Sequence, residues 1–396
     1  MRPLKPLFRG NLESLFGFLT TSRYLLSCNC TSLTYNRVLN RVSLCGCRVR
    51  KQTPSRNVIF YVGDRVEGTD NSEIERLSQP KNIASILVSK LGPSVNAWII
   101  EPSHYKSSFA CYENLLPSLT PSGEPEGYNP KGLPAARSTL SLLQNCLAQV
   151  STRLSLESLP SQRERVAVGK QAESNRANGT FLNAHGFATT LLGNISPRSK
   201  KCPQTSVFGF SKGGVVLNQL LAELTHLEDL EGKVSIKKNW LNRSVSKSAK
   251  FEGSLRTLDG SDDKVKDVSN GAPLLPFTVE EFLRGIAEVH YVDVGLNRAG
   301  AYQTDAHVLE GLATAARARE GGLLVAFHGT PRQWCDSGRS WVVNEKDICI
   351  DRLQDAASRH GVAAKLRVAQ TMYFPHRKAS LQMHFEIIEA MIVSSS

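Results

Sequence analysis

The feature that most constrains the fold is a serine in a glycine-flanked turn between a strand and a helix. Residues 205–221 read TSVFGFSKGGVVLNQLL, and the apolar pair Val207-Phe208 leads into Gly209, Ser211 and Gly213. Side chains at the two glycine positions would collide where a strand and a helix approach closely, and the serine backbone is strained. The pattern predicts a nucleophile elbow, with a purely structural glycine turn as the alternative. The apolar positions at helical spacing after the turn are Val216, Leu217, Leu220 and Leu221.

Buried strands alternate with helices along the chain. Continuous apolar runs indicate strands buried on both faces, and apolar residues at a spacing of three or four indicate helices. The alternation predicts an α/β fold, a doubly wound, mostly parallel sheet in one domain over residues 57–396. Strands are predicted at 57–62, 95–100, 207–208, 289–294, 322–327 and 365–373, and helices at 81–91, 136–150, 216–221, 306–316, 345–359 and 380–393.

Two polar stretches interrupt this alternation. Residues 151–180 are rich in Ser, Arg and Glu, and residues 231–273 are polar and rich in lysine. Neither shows sustained apolar periodicity, so both are predicted to be surface insertions, the first of them without fixed structure.

The excess positive charge lies at the N-terminus. The net charge is +12, and residues 1–56 hold ten Lys or Arg and one acid, a balance of +9 that leaves +3 for the other 340 residues. The nearly neutral remainder argues against nucleic acid as a partner. An arginine-rich, acid-poor leader predicts a disordered organellar transit segment over 1–56, with a disordered basic tail as the alternative.

Several other classes of site lack sequence support. No apolar run approaches the roughly 18 residues of a membrane span. There is no P-loop, no dinucleotide-binding glycine motif after a strand and no His-Glu-x-x-His pattern, so no organic cofactor or metal is predicted. The five cysteines beyond the leader are scattered, which favours a reducing compartment.

Serine chemistry of this kind requires an acid and a histidine later in the chain. A serine hydroxyl needs a base to take its proton, and the base needs a carboxylate to orient it. In the hydrolase order the acid follows a late strand, so Asp336, after the strand at 322–327, is the preferred candidate. Asp293, at the end of the preceding strand, is the alternative, and Asp305 is a more distant third.

His384, in the final predicted helix, is the preferred base. His376 is the alternative base but has basic neighbours and looks exposed, whereas His328 ends a strand and resembles a core-edge histidine. The oxyanion donors are predicted to be the Lys212 N–H and the Gly63-Asp64 loop, since two backbone donors must face the developing charge. The Lys212 side chain itself is predicted to be a surface cation.

The ordered motifs VIFYVGD, VNAWIIEPSHYKSSFACYENLL, GFSKGGVVLNQLLAEL, YVDVGLN, HGTPRQWCDSGRSW and MHFEII also carry a family resemblance. Over about residues 58–388, apart from the insertions, the chain resembles a eukaryotic family of mitochondrial, α/β-hydrolase-like proteins whose human member is named as an open reading frame of chromosome 2. The resemblance implies an α/β-hydrolase fold, mitochondrial residence and a serine-hydrolase site at Ser211. The late motifs contain Asp336 and His384, although Arg332 occupies the position where many hydrolases have their acid.

The leading functional hypothesis is a mitochondrial serine hydrolase of the matrix. Ser211, His384 and Asp336 would form its catalytic triad, with Asp293 and His376 as the alternative acid and base. Its substrates would be small-molecule or lipid esters or thioesters. The alternative from another class is a catalytically inactive hydrolase-like assembly or regulatory factor for mitochondrial metabolism.

Overall fold

The computed structural model describes residues 23–31, 39–47, 56–66, 68–92, 95–157, 204–245 and 275–393. The strands are β1 (Arg23–Thr31), β2 (Leu39–Cys47), β3 (Arg56–Tyr61), β4 (Val95–Ile100), β5 (His104–Lys106), β6 (Phe109–Cys111), β7 (Gln204–Phe210), β8 (Ile286–Val292), β9 (Leu323–Gly329) and β10 (Leu366–Met372). The helices are α1 (Ser72–Ser78), α2 (Pro80–Leu91), α3 (Pro134–Glu157), α4 (Gly214–Val245), α5 (Val279–Gly285), α6 (Ala306–Ala318), α7 (Pro331–Trp334), α8 (Ser340–Arg359) and α9 (Leu381–Ala390).

Eight of these strands form a single sheet in the order β1-β2-β4-β3-β7-β8-β9-β10. β2 runs antiparallel to both of its neighbours, and every pairing from β4 to β10 is parallel. β5 and β6 form a separate antiparallel hairpin. The predicted α/β-hydrolase fold, with its doubly wound and mostly parallel sheet, is confirmed by this topology.

The sheet is buried on both faces because its central strands are apolar at every position. Along β3, Ile59 and Tyr61 belong to one core cluster, and Val58 and Phe60 belong to the other. This alternation follows the two-residue period of a strand. α3, α4, α5, α6 and α8 cover the first face, and α1, α2 and α9 cover the second. α9, which carries His384, therefore belongs to the layer with three helices, the smaller of the two.

Side-chain caps fix where several helices begin. The Asn71 side chain accepts from two backbone N–H groups of α1, and Thr278 forms a reciprocal capping box with Glu281 at α5. Asp305 accepts from Val308 N at 3.0 Å at the start of α6. Such caps satisfy N–H groups that have no partner within the helix. Asp305, the third candidate acid, is thus occupied as a helix cap.

The polar insertions begin later than the sequence indicates. α3 continues to Glu157, so residues 151–157 are helical, and α4 continues to Val245, so residues 231–245 are helical as well. Together the two stretches mix helix-forming Leu, Glu, Lys and Arg with Ser, Thr, Asn and Gly, so neither composition nor periodicity marked them as helical. The remainder of both predicted insertions lies outside the described residues.

Two strands of the sheet lie within residues 1–56, the predicted leader. They are β1 and β2, and β2 pairs with β4 from Val42–Ile100 to Gly46–Asn96. Residues 23–47 therefore include two strands of the main sheet. The part of the predicted transit segment before residue 23 lies outside the described residues.

A buried row of polar side chains crosses the sheet on the side covered by α9. His290 contacts Glu288 through Nε2 (3.1 Å) and His328 through Nδ1 (3.1 Å), and the His328 Nδ1 atom lies 3.1 Å from the Tyr373 hydroxyl. Arg56 pairs with Glu288 at the other end. Because each of these groups has a partner, the row satisfies buried polar atoms that would otherwise be costly.

This row predicts acid sensitivity of the fold. Burial and the charge of His290 lower the pKa of His328 to about 3, below the value near 6.5 expected in the unfolded chain. The unfolded state therefore binds more protons below pH 6.5, and stability is lost as the pH falls from there towards 3. We expect up to about 1.4 kcal/mol of lost unfolding free energy per pH unit for this proton.

Urea denaturation between pH 7.5 and pH 5 measures this dependence. His328→Gln should flatten the slope of unfolding free energy against pH, and the exposed control His376→Gln should leave it unchanged. A slope that is the same in all three proteins would contradict the prediction.

Candidate active site

The predicted nucleophile, the predicted oxyanion loop and the alternative acid lie after neighbouring strands of the sheet. Gly63 and Asp64 follow β3, Ser211 follows β7, and Asp293 follows β8. β3, β7 and β8 are adjacent and parallel. Parallel strands have their carboxyl ends at one edge of the sheet, where ligands bind in open α/β folds. The topology thus gathers these residues at a single edge.

Ser211 occupies a sharp, strained turn. Its φ angle is +52°, and a short 3₁₀ turn over Ser211–Gly213 joins β7 directly to α4. A Cβ atom at Gly213 would lie 2.3 Å from the Tyr61 carbonyl oxygen, and one at Gly209 would lie 2.7 Å from the Gly214 Cα. Real Cβ atoms do not approach so closely, so both flanking positions require glycine. A left-handed serine at a strand-to-helix turn is the geometry expected of a nucleophile elbow.

The loop after β3 packs directly against this serine. A Cβ atom at Gly63 would lie 2.4 Å from the Ser211 Cβ and 3.0 Å from its Oγ. On either side of the Gly63-Asp64 pair, Val62 N donates to the Ile100 carbonyl and Arg65 N donates to the Ser108 carbonyl. The backbone of this loop is therefore held in place immediately beside the serine hydroxyl.

His384 reaches the same edge from helix α9. Its Nδ1 atom lies 2.6 Å from Oδ2 of Asp293, and its ring stacks on Phe210 with a centroid distance of 4.5 Å. Phe210 precedes Ser211, so the stacking brings the imidazole next to the serine turn. The Ser380 hydroxyl accepts from Met383 N and fixes the start of α9 one turn before His384. The contact with Asp293 leaves Nε2 as the ring nitrogen available to another partner.

Asp293 is fully buried and held by its neighbour on the next strand. Thr330 donates to it twice, from its backbone N to Oδ1 at 2.7 Å and from its hydroxyl to Oδ2 at 2.9 Å. The backbone N of Asp293 donates to the His328 carbonyl at 2.6 Å, and its φ angle of +45° is unusual for a non-glycine residue. These bonds orient the carboxylate towards His384.

Asp336, the acid preferred from the sequence, does not contact His384. It caps a 3₁₀ turn, where it accepts from Gly338 N at 2.9 Å and from Arg339 Nε at 2.8 Å. The hydrogen bond from Arg339 lowers the pKa of its carboxyl group, and about a third of its side chain is exposed. α7 begins immediately after Thr330, and Asp336 lies beyond it as the cap of a separate 3₁₀ turn, so His384 contacts Asp293 in place of Asp336.

The other candidate histidines lie elsewhere. His376 is exposed in the loop between β10 and α9, as its basic neighbours indicate. His328 belongs to the buried polar row and contacts His290 and Tyr373. Of these three histidines, His384 is the one that contacts a candidate acid.

The side chain of Lys212 is buried, which corrects the expectation of a surface cation. Its Nζ donates to the Ser122 carbonyl at 2.8 Å and lies 5.2 Å from the centre of the Phe109 ring. Burial lowers the pKa of the ammonium group, and the charges of Asp64 and Glu124 oppose this effect. Lys212 thus ties the serine turn to the segment that includes the β5–β6 hairpin.

The same hairpin holds the loop after β3. Asp64 accepts from Ala110 N at 2.7 Å, and the Arg65 guanidinium stacks over the Tyr105 ring at 4.4 Å. Burial raises the pKa of Asp64, while the Ala110 hydrogen bond and the charges of Lys212 and His384 lower it. The hairpin therefore supports both predicted oxyanion elements, and sequence reasoning missed it because its strands are only three residues long.

Thr330 is a further residue that sequence reasoning missed. It directly follows the His328-Gly329 pair that ends β9, so its place after a strand was a usable signal. A threonine at the first turn of a helix is an ordinary cap, however, and its two bonds to Asp293 arise only from tertiary structure.

Together these groups can support proton transfer. A hydroxyl, an imidazole and a buried carboxylate at one edge are the components of nucleophilic acyl chemistry. Among the described residues, no group of three or more His, Cys, Asp or Glu side chains is arranged to hold a metal ion. Nor is any helix in the described part of the chain long and apolar enough to cross a membrane.

Comparison with known sequences identifies a family. The family model described as C2orf69 matches residues 28–239, which is more than half of the chain and includes Ser211. Human mitochondrial protein C2orf69 is 24% identical over 349 residues, covering 85% of this chain and 74% of that protein. The family match starts within β1, in agreement with a folded unit that includes the first two strands.

Comparison with solved structures finds matches at low similarity. Esterase Est22 is 11% identical with a TM-score of 0.33, covering 92% of this chain and 76% of that one. The BES protein from Bacillus cereus is 11% identical with a TM-score of 0.37, covering 92% and 95%. An S-formylglutathione hydrolase from Agrobacterium tumefaciens is 10% identical with a TM-score of 0.33, covering 94% and 93%. These TM-scores are too low to support an argument, so the fold assignment is based on the strand order and the serine turn of this chain.

Because Asp293 is buried and Asp336 is partly exposed, removing each carboxylate should lower the free energy of unfolding by a different amount. Asp293→Ala leaves the Thr330 donors and the His384 Nδ1 without a buried partner, so we expect a loss of about 2–4 kcal/mol in unfolding free energy. Asp336→Ala removes a partly exposed cap and ion pair and should cost below about 1 kcal/mol. Urea denaturation at pH 7.5 measures both. Equal losses would contradict the structural distinction between the two carboxylates.

Proposed function

The chain belongs to the C2orf69 family, and from the geometry of its serine turn we propose that it is a serine hydrolase of ester or thioester bonds. The observation that carries the proposal is the 2.6 Å contact between His384 Nδ1 and Asp293 Oδ2 at the sheet edge of Ser211. A base oriented by a buried carboxylate beside a strained serine is the arrangement that activates a hydroxyl. A purely structural glycine turn would not require it.

In the proposed reaction, Ser211 Oγ attacks the acyl carbonyl and its proton passes to Nε2 of His384. Asp293 stabilises the resulting imidazolium and keeps Nδ1 protonated. The imidazolium then gives its proton to the departing alcohol or thiol, which leaves an acyl-serine. Water attacks this ester with His384 as base, and the carboxylic acid product departs with Ser211 restored.

The oxyanion formed in each attack needs donors that are already in place. We assign this role to the Lys212 N–H, which follows the nucleophile, and to the Gly63-Asp64 loop. Two observations support the assignment, the approach of Gly63 to the serine hydroxyl and the hydrogen bonds that fix the loop on both sides. The reaction requires no metal or organic cofactor.

The substrate class is a small-molecule or lipid ester or thioester, and the proposed location is the mitochondrial matrix. The human relative is named a mitochondrial protein. The segment before β1 carries Arg2, Lys5 and Arg9 against the single acid Glu13, which is compatible with a transit segment. An acyl hydrolase in this compartment would act in a reducing environment, in keeping with the free cysteines among the described residues.

Covalent labelling tests the nucleophile. A fluorophosphonate probe should label the purified protein, and Ser211→Ala should abolish the labelling, because the phosphonate reacts with an activated serine. Ser337→Ala, at an exposed serine in the 3₁₀ turn after α7, is the matched control and should label normally.

Labelling that persists in folded Ser211→Ala would contradict the proposal. If the probe fails to label the native protein, and Ser211→Ala restores cells that lack the protein, the function would be that of a hydrolase-like binding or assembly factor.

Steady-state kinetics test the choice of acid. Asp293→Asn should lower kcat for a 4-nitrophenyl ester by roughly a thousandfold or more, because the imidazole loses the carboxylate that orients it. Asp336→Asn should remain within about twofold of the native protein, since its carboxylate binds Arg339. A larger loss of kcat in Asp336→Asn than in Asp293→Asn would indicate that Asp336 is the catalytic acid.

A further inference from the structure

Arg332 is the residue of α7 that is not buried. Its three companions in this four-residue turn, Pro331, Gln333 and Trp334, are all buried. The turn begins directly after Thr330, which holds the Asp293 carboxylate with two hydrogen bonds. The half-buried guanidinium of Arg332 is therefore carried on the backbone next to the candidate catalytic acid.

The carboxylates around this guanidinium are bound by other groups. Asp336 forms its ion pair with Arg339, and Asp293 is held by Thr330 and His384. Within the described part of the chain, no carboxylate lies within ion-pairing distance of Arg332, and its buried Nε has no hydrogen-bond partner. A buried polar atom without a partner requires an explanation.

Burial and a neighbouring positive charge disfavour the charged form of Arg332 when no anion is bound to it. Burial lowers the pKa of Arg332, the charge of Arg339 adds to that effect, and Asp293 and Asp336 oppose it. An arginine nonetheless keeps its charge at neutral pH. A half-buried cation with an unpartnered donor is stabilised when an anion binds to it.

The sheet fixes the separation between the backbone of Arg332 and that of Ser211. Ser211 follows β7 and the Arg332 turn follows β9, with only β8 between them. Two strand spacings amount to about 10 Å. A substrate that reaches from Ser211 to this guanidinium would need an acyl chain of about four to six carbons.

We propose that Arg332 determines specificity by binding a carboxylate at the far end of the acyl group, so that the substrates are esters or thioesters of dicarboxylic acids. This inference rests on the proposed hydrolase function and names its substrate class. The planar guanidinium forms two parallel hydrogen bonds with a carboxylate, which gives an orientation that a lysine does not.

The acidic groups near the serine do not oppose this assignment. Asp64 lies on the opposite side of Ser211, after β3, where it accepts from Ala110 N and has Lys212 nearby. Glu124 is buried and accepts from Asn297 N. The β9 side of the site, where the acyl end would lie, carries Arg332.

Matched substrates test the specificity. The native protein should prefer the half-ester 4-nitrophenyl glutarate over 4-nitrophenyl pentanoate, which has the same acyl length without the carboxylate. Arg332→Gln should reduce this ratio of kcat/KM by about tenfold or more, chiefly through KM, while activity on the neutral ester persists. Arg332→Lys should restore part of the ratio, and the control Arg359→Gln, at an exposed arginine paired with Glu310, should leave it unchanged.

An unchanged ratio in Arg332→Gln, or an equal loss on both esters, would overturn the inference and leave the hydrolase function intact. Esters with a carboxylate on the phenol, such as 3-carboxyphenyl butyrate, show whether the anion instead lies on the leaving group. A preference for these esters that depends on Arg332 would also overturn the acyl assignment.

A binding measurement separates this inference from the proposed function. Ser211→Ala should bind monomethyl glutarate in calorimetry, and the double variant Ser211→Ala with Arg332→Gln should bind it about tenfold more weakly or not at all. The absence of binding to Ser211→Ala, or equal binding by both proteins, would contradict the role of Arg332. Fluorophosphonate labelling of the native chain reports separately on whether Ser211 is an active nucleophile.

Discussion

The carboxylate of Asp293 is the group on which the arrangement of the site depends. Asp293 itself follows β8. It accepts two hydrogen bonds from Thr330, which follows β9, and a third from His384 on α9. Three separate elements therefore meet at one buried charge. Because a buried carboxylate is stable only when its oxygens have partners, the same bonds that stabilise the fold also set the orientation of the imidazole.

Support for the serine comes from the opposite side of the site. Asp64 and Arg65 anchor the loop after β3 to the β5–β6 hairpin, and Lys212 is tied to the segment that follows this hairpin. The oxyanion elements are thus fixed by contacts distant in sequence from Ser211. Such rigid support is needed because donors that must reorganise during the reaction contribute less to catalysis.

Prediction from sequence succeeded where local pattern and local structure coincide. The strand at Val95–Ile100 and the serine turn were both visible, because a strand buried on both faces is continuously apolar and an elbow requires flanking glycines. The choice of acid was not local. Asp336 and Asp293 both follow strands, and only the early start of α7 and the two bonds from Thr330 distinguish them.

The sequence by itself determined the fold class, the strand-turn-helix at Ser211 and the histidine of the final helix, because spacing and composition encode these features. The tertiary structure alone decided that β1 and β2 join the sheet, that Lys212 is buried, and that His384 meets Asp293. The physical reason is that hydrogen bonds between residues about ninety positions apart depend on which strands lie side by side, and strand order is not written in any local pattern.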